Sequence, residues 1–503
     1  MSVSKRVIAM LVCICLLGWG LWAAKTQTMA EDTIDETVDK DSLIIWYTDD
    51  SLTDYISAAC VSYNELYGTR VVPKLQSGDG YLELVNSVSI EDNGTPDLYL
   101  ITHDELERAY LCGLASKIEK DTTVVNEDSF PQAALASVTY KGTPVAYPFY
   151  FETTALLYNK TYLTEMATNQ VLAEESDEPN EIGGELYEEE EIDEETEKYN
   201  ALSHDEKIAY KLEQSIPDNF DELLEFANTC DAPQEVDTIF KWDVKDIFYN
   251  YFFVGNYINV GGPNGDDLSC IDIYNMDAVT ALTVYQDLNQ FFSFDYEDIS
   301  YESVIDEFIN GRIVFTTATS DIVNRLETAK AEGNFEYEYG VAGLPDTSDI
   351  LVSRGMSVTN TVVINGYSDK RDKANSFAKY LTVDYANNLY EMTGKIPASG
   401  KISFVNEAIR QYVAAYADSV PIPKMMATSN YWLQAEITFA NVWAGKSVSD
   451  ELKNLSEQIK EQVTGMEISE DYIDIPVETP EETEYYDEDA LKEAAQQEEQ
   501  GDE

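Results

Sequence analysis

At 503 residues, with 44% hydrophobic side chains and 12% aromatics, the chain can fill two or three packed cores and is not a disordered protein as a whole. Its 95 acids against 32 bases give a formal net charge of -63, which excludes a nucleic-acid backbone as partner, because counterion release needs clustered Lys and Arg. The same field repels anionic small molecules and leaves neutral or cationic solutes as the natural ligands.

The chain opens with Lys5 and Arg6 followed by an apolar run from Val7 to Ala24. Residues 1–30 therefore read as an export segment, either a cleaved signal peptide or a retained membrane anchor. The run is about as long as a minimal membrane helix, and Thr28 and Ala30 make a mediocre cleavage site. Either way the body is expected outside the cytoplasm, attached to the outer face of the membrane or secreted. Residues 31–41 form an acidic linker.

"SLIIWYT" then reads as a buried strand, with Trp46 in the core, and "SLTDYISAACVSYNELYG" as an amphipathic helix stopped by Gly68. "TRVVPKL" and "PDLYLIT" are further strands, and "HDELERAYLCGLASKI" carries a helical pattern. Strands alternating with helices imply βαβ units and a mostly parallel sheet.

"YPFYFETTALLYNK" alternates apolar residues up to Glu152 and is then nearly continuous from Ala155 to Tyr158. One strand is expected to leave one packed body and enter another, with Glu152 at the crossing. From Glu174 to Glu197 acids dominate, so an unpacked insertion is expected over about 165–215, with marginal helix at its end. A calcium loop is the sharper alternative, but the alternating Asp/Asn ligands and central glycine of an EF-hand are missing.

Helices are expected at "NFDELLEFAN", along the aromatic "KDIFYNYFFVGNYINVGGPNG", at "DAVTALTVYQDLNQFF", and at "SYESVIDEFINGR", which ends on Gly311. "IVFTT" and "YEYGVAGLPD" read as strands, the second making another crossing. Ala374, Phe377, Ala378 and Leu381 share one helical face, and "YWLQAEITFANVWAGKSVSDELKNLSEQIKEQV" supplies two more helices. The acidic, Pro-interrupted stretch from 469 to 503 reads as a solvated tail.

Cys60, Cys112, Cys230 and Cys270 lack zinc-site spacing, and only His103 and His204 could assist, so no structural metal and no cofactor is expected. Four cysteines allow three pairings, among which sequence does not choose. Cys60 lies on an apolar helix face, where a small buried hydrophobe is favoured over a bridge. A chain that builds one α/β body, crosses to a second and returns forms two lobes, and its ligand lies in the cleft between them.

The phrases "LIIWYTDD", "PDLYLITHDELERAYLCGLASKI", "YPFYFETTALLYNKTYL", "FINGRIVFTT", "GVAGLPD", "VVINGYSDKRDKANSFAKYLT", "TGKIPA" and "YWLQAEITFANVWAGK" together resemble the family 1 extracellular solute-binding proteins of ABC importers, the group typified by maltodextrin-binding protein. The resemblance spans about 42–468, apart from the insertion. It implies an α/β, two-lobed periplasmic-binding-protein fold of type II, each lobe a mostly parallel sheet flanked by helices, joined by hinge crossings. Lobe 1 would comprise 42–149 and 344–400, and lobe 2 would comprise 150–343 and 401–468.

By resemblance, ligand-contacting positions fall at Asp50, Asp104, Glu152, Tyr251, Asp321 and Trp432. Carboxylates accept hydrogen bonds from sugar hydroxyls, and an aromatic face covers a pyranose. Asp50 and Asp104 read equally well as acids on helix N-termini, and Trp432 as a helix anchor. The chain departs from the family pattern at Ile101 and Asp321, where the maltodextrin binder has tryptophans, and at Glu436, where it has arginine. Maltodextrin specificity is accordingly not carried over.

The implied function is capture of a neutral carbohydrate or similar polar small molecule and its delivery to ABC permease subunits, by a monomer that performs no reaction. A membrane-anchored sensory or adhesion module using the same fold is the alternative. An extracellular glycoside hydrolase needs only two carboxylates, but the chain offers no GxSxG elbow, HExxH or P-loop.

Overall fold

The computed structural model describes residues 41–91, 94–118, 124–176, 194–292 and 299–473. The export segment, nearly all of the acidic linker, the centre of the insertion and most of the tail lie outside the described residues. The described residues up to Ser469 form one compact unit.

Apolar runs become strands where both faces are covered. The chain runs through β1 (Leu43–Tyr47), β2 (Val71–Leu75), β3 (Leu98–Thr102), β4 (Tyr147–Asn159), β5 (Thr238–Phe240), β6 (Ile313–Thr319), β7 (Tyr339–Ala342), β8 (Met356–Ile364) and β9 (Val420–Pro421). Among the described residues these join in one mixed sheet of order β2-β1-β3-β8-β4-β6-β5, with β7 added on β4 and β9 on β8. β1 is parallel to β2 and β3, whereas β8 runs antiparallel to both β3 and β4.

β4 is the long member, and its partners change along its length. Tyr147 to Thr153 pair with β8. Thr154 to Asn159 pair with β6 and β7. The crossing read from the sequence is thus a change of partner between Thr153 and Thr154, one residue beyond Glu152. In this strand of 13 residues every position is buried except Glu152, which is half-buried.

Helices cover the faces. Thr53–Tyr67 buries Tyr55, Ile56, Ala59, Cys60 and Tyr63 and ends on Gly68 in the left-handed conformation. Tyr55 meets Phe149 at 5.8 Å, and Tyr63 meets Phe377 edge-on at 5.0 Å. Ala374, Phe377 and Ala378 are buried from helix Arg371–Lys379, while Leu381 falls in the wider turn Tyr380–Asp384 that continues it. Trp46 is 5% exposed and belongs to the core, as its place in an apolar run implies. The four cysteines among the described residues are free, and burial pushes the Cys60 thiol up to about 12.

Around β5 and β6 the core is aromatic, with Trp242 stacked on Phe240 at 4.7 Å and edge-on to Trp443 at 5.6 Å. Gly340 of β7 packs flat against the Tyr158 ring, where a Cβ would come within 2.1 Å of a ring carbon. Gly311 ends helix Tyr301–Ile309 at φ 72, with the Tyr337 hydroxyl 2.3 Å from where a Cβ would stand. No residue larger than glycine fits either position without displacing a ring.

Two expectations are corrected. The aromatic stretch after Lys245 is not a long helix. It makes two single 3-10 turns, Ile247–Tyr249 and Tyr251–Phe253, followed by a small hairpin of Asn259–Val260 with Ile271–Asp272. Tyr249, Tyr251, Phe252 and Phe253 are all buried, which one helix face cannot achieve, and Asn250 ties the turns to Asp243 and Asp246 carbonyls at 2.9 and 2.7 Å.

The expected insertion also begins inside ordered structure. Helix Lys160–Ser176 buries Ala167 and Val171, and helices Glu194–Asn200 and His204–Gln214 follow after the gap. Glu174 pairs with Lys211 at 2.8 Å, so helix occupies both ends of the segment. Among the described residues no helix is long and apolar enough to cross a membrane.

Candidate functional site

In open α/β sheets, ligands are received beyond the carboxyl ends of the strands. Here the ends of β1 and β3, with Tyr150 of β4 and Asn360 of β8, wall a cleft of about 340 Å³. Thr48 and Asp49 follow β1, and Glu105 and Arg108 follow β3. Leu52, Tyr81 and Ile101 supply apolar wall. A register irregularity between Asn360 and Thr361 falls where Asn360 joins the cleft.

Asp49, not Asp50, is the acid of the doublet that lines this cleft. Asp49 caps the short turn Asp50–Leu52, its Oδ1 accepting from Ser51 N at 3.0 Å and from Ser51 Oγ at 2.6 Å. Its Oδ2 lies 2.8 Å from Lys395 Nζ. Burial works to raise the Asp49 carboxyl, but Lys395 and Ser51 together hold it below the ordinary carboxylate value. Asp50 is exposed.

Glu152 shares a strand face with Tyr150, two residues earlier. Burial raises its carboxyl, Lys395 opposes the rise, and Asp321 and Asp49 add to it. The backbone explains the grouping. Ser320 N donates to Thr153 O at 3.1 Å, setting Asp321 beside β4, and Phe151 N donates to Ile396 O at 3.2 Å, setting Lys395 on its other side. Asp321 is exposed, stands at the N-terminus of helix Ile322–Glu332 and accepts from the Thr319 hydroxyl.

Asp104 lies in the turn His103–Glu105, where its Oδ1 is shielded from solvent without a hydrogen-bond donor among the described residues. Its neighbours Glu105 and Arg108, paired at 3.5 Å, line the cleft in its place. Burial, and then Asp104, raise the Glu105 carboxyl against the pull of Arg108.

Tyr251 and Trp432 belong together but to a second cavity, of about 480 Å³, shared with Gln132, Arg354, Asp418 and Pro421. Their rings meet edge to face at 5.2 Å, and the Tyr251 hydroxyl lies 3.3 Å from that of Tyr431. Trp432 is half-buried and Tyr251 fully buried. Glu436, one turn along the same helix, has its carboxyl raised by burial and by Asp246 and Asp243.

The sequence-derived residues thus separate into Glu152 with Asp321, Tyr251 with Trp432, and Asp104 behind the first cleft. Asp49, Tyr150 and Lys395 were missed. The period-2 relation of Tyr150 to Glu152 was a usable signal, and so was the lysine in "TGKIPA". Chemically the first cleft offers carboxylates as acceptors for hydroxyl donors and a tyrosine ring for an apolar face. Among the described residues no cluster of His, Cys, Asp or Glu is arranged to hold a metal.

Three comparisons bear on this arrangement. A comparison with curated proteins returns no match. Among solved structures, an extracellular solute-binding protein from Staphylococcus aureus in complex with maltose superposes with a TM-score of 0.65 at 17% identity, covering 85% of this chain and 99% of that one. A cyclo/maltodextrin-binding protein complexed with maltotetraose gives 0.65 at 18%, covering 86% and 99%. MalX from Streptococcus pneumoniae in complex with maltopentaose gives 0.58 at 18%, covering 84% and 100%. These likenesses show the fold, a mixed α/β architecture matching the two-lobed binding proteins. The family profile of the bacterial extracellular solute-binding proteins matches residues 58–414, which is most of the chain. The chain belongs to the bacterial extracellular solute-binding proteins.

Proposed function

We propose that this protein captures a carbohydrate outside the cytoplasm, in the cleft at the ends of β1, β3 and β4, and passes it to the membrane subunits of an ABC importer. The observation that carries this reading is Asp49 with the Tyr150 ring in that cleft, where a hydroxyl-rich ligand finds an acceptor and a ring. Glu152, the half-buried acid of an otherwise buried strand, stands two residues further along the same face of β4, just beyond the cleft wall. The structural neighbours in complex with maltose, maltotetraose and maltopentaose support a sugar as the ligand class.

Residues 42–149 and 344–400 would form one lobe, and 150–343 and 401–468 the other, closing over the ligand by bending at the crossings. The change of partners along β4 supports a hinge at Thr153 and Thr154. The protein captures and does not react, and residues 1–30 direct or hold it outside the cell membrane.

A thermal-shift series with neutral mono- and oligosaccharides, glucose, maltose, maltotetraose and maltopentaose among them, tests the reading. A ligand that binds only the folded state, present at a hundred times its Kd, adds about 2.7 kcal/mol of stability and raises Tm. No shift with any of them at millimolar concentration would overturn the ligand class.

A further inference from the structure

Lys395 belongs to neither the sequence-derived site nor the cleft wall, yet it touches Asp49 and Tyr150, and its charge reaches Glu152. Gly394 ends helix Leu389–Thr393 at φ 73, its N–H bonded to Tyr390 O at 2.8 Å, and Lys395 N is held by the Thr393 hydroxyl at 3.1 Å. The segment then lies along β4. Ile396 O accepts from Phe151 N, Pro397 bridges Tyr150, and Ala398 N donates to Phe149 O at 2.9 Å. Gly394 also sits against Asn324, in the helix that begins after Asp321; a Cβ there would be 2.5 Å from the Asn324 side chain. The helix end, strand β4 and the Asn324 side chain therefore fix where the lysine side chain starts.

From that position Nζ lies 2.8 Å from Asp49 Oδ2 and 4.8 Å from the centroid of the Tyr150 ring, and its charge acts on Glu152. Asp49 already receives two bonds from Ser51, so the lysine is not required to satisfy a stranded carboxylate. Its side chain is 23% exposed, less than for most of the surface ion pairs of this protein. A partly buried ammonium against a ring face and a carboxylate restrains both.

We propose that Lys395 is a positioning residue of this cleft, holding the Asp49 carboxylate and the Tyr150 ring in the arrangement that receives the ligand and supplying counter-charge to Glu152. Acting through these residues, it links the segment after helix Leu389–Thr393 to the end of β1 and to the middle of β4. Its binding consequence rests on the carbohydrate reading above; its effect on Glu152 does not.

The test compares Lys395→Met, which keeps the length of the side chain and removes the charge, with Lys395→Arg, which keeps the charge. In ligand-free protein, the protonated-carboxyl infrared band present in the wild type and missing from Glu152→Gln reports the Glu152 titration directly. Lys395→Met moves that titration to higher pH, and Lys395→Arg returns it toward the wild type. With maltotetraose as probe, Lys395→Met weakens binding about tenfold at neutral pH, the equivalent of ~1.4 kcal/mol. Lys395→Arg stays within threefold. An unchanged Glu152 titration in a folded Lys395→Met protein overturns the proposal whether or not maltotetraose binds. Failure of the wild type to bind maltotetraose or any other neutral mono- or oligosaccharide overturns the ligand class alone. Equal loss of affinity in the Met and Arg variants, with both folded, would assign Lys395 direct ligand contact and overturn positioning.

Discussion

His103 and Thr359 are joined by a buried hydrogen bond: Thr359 donates its backbone N–H to Nδ1 of His103 at 3.0 Å. The opposite ring nitrogen, Nε2, donates to Ile422 O at 3.0 Å, so the ring is a neutral imidazole pinning the end of β3 to β8 and to the segment after β9. Burial lowers its pKa to about 4, against a weaker opposing pull from Asp104. The unfolded chain protonates this histidine near the ordinary 6.5 and the folded one only near 4. Stability is therefore fully present above pH 6.5 and falls as the pH drops from 6.5 to 4, by up to ~1.4 kcal/mol per pH unit.

Urea unfolding of the wild type and His103→Asn at several pH values between 7 and 4.5 checks this. The wild type takes up about one more proton on unfolding than the variant across that range. Parallel pH dependences would show that folding leaves the His103 titration unshifted and would contradict the buried neutral imidazole.

Trp242 tests the aromatic core around β5. It is fully buried, stacked on Phe240, edge-on to Trp443, and its Nε1 donates to Asn250 Oδ1 at 2.8 Å. Trp242→Ala leaves a cavity and an unsatisfied amide, and costs about 3–5 kcal/mol in urea-unfolding free energy. Leu433→Ala, at a residue 62% exposed, changes it by about 0.5 kcal/mol or less. A loss below about 1 kcal/mol in Trp242→Ala would contradict the packing described.

The strands were legible because each is a short apolar run that must be covered on both sides, and "LIIWY" and "LYLIT" are unambiguous in that respect. Glu152 was legible as a lone acid ending an aromatic alternation. The choice between Asp49 and Asp50 was not, because two identical acids in sequence are distinguished only by which one caps the turn. Lys395 stood in plain view in "TGKIPA", but its role was not legible because its partners Asp49 and Tyr150 lie far away along the chain. The aromatic stretch misled because its period allows a helix, whereas four successive buried aromatics around Asn250 demand tight turns.

Trp432 offers the larger aromatic surface. If the second cavity receives part of an oligosaccharide, Trp432→Ala weakens maltopentaose by at least tenfold, because it removes a large contact surface together with the edge-to-face partner of the Tyr251 ring. Calorimetric titration measures this, with Tm confirming that the variant is folded. Unchanged affinity would make Trp432 a helix anchor and leave the first cleft as the whole site.

The most direct test of the account is calorimetric titration of the wild type and Glu152→Gln with maltotetraose between pH 5 and 8. A hydrogen bond to a charged group is worth about 1.5 to 3 kcal/mol, so the amide weakens binding roughly tenfold to a hundredfold at pH 8 while the fold stays intact. Because burial raises the Glu152 carboxyl, the wild type loses its charged acceptor at a higher pH than an ordinary glutamate would. Wild-type affinity therefore falls as the pH drops toward 5, and the variant's does not. Equal affinities for the two proteins, with the same pH dependence, would contradict the account and place the ligand away from Glu152.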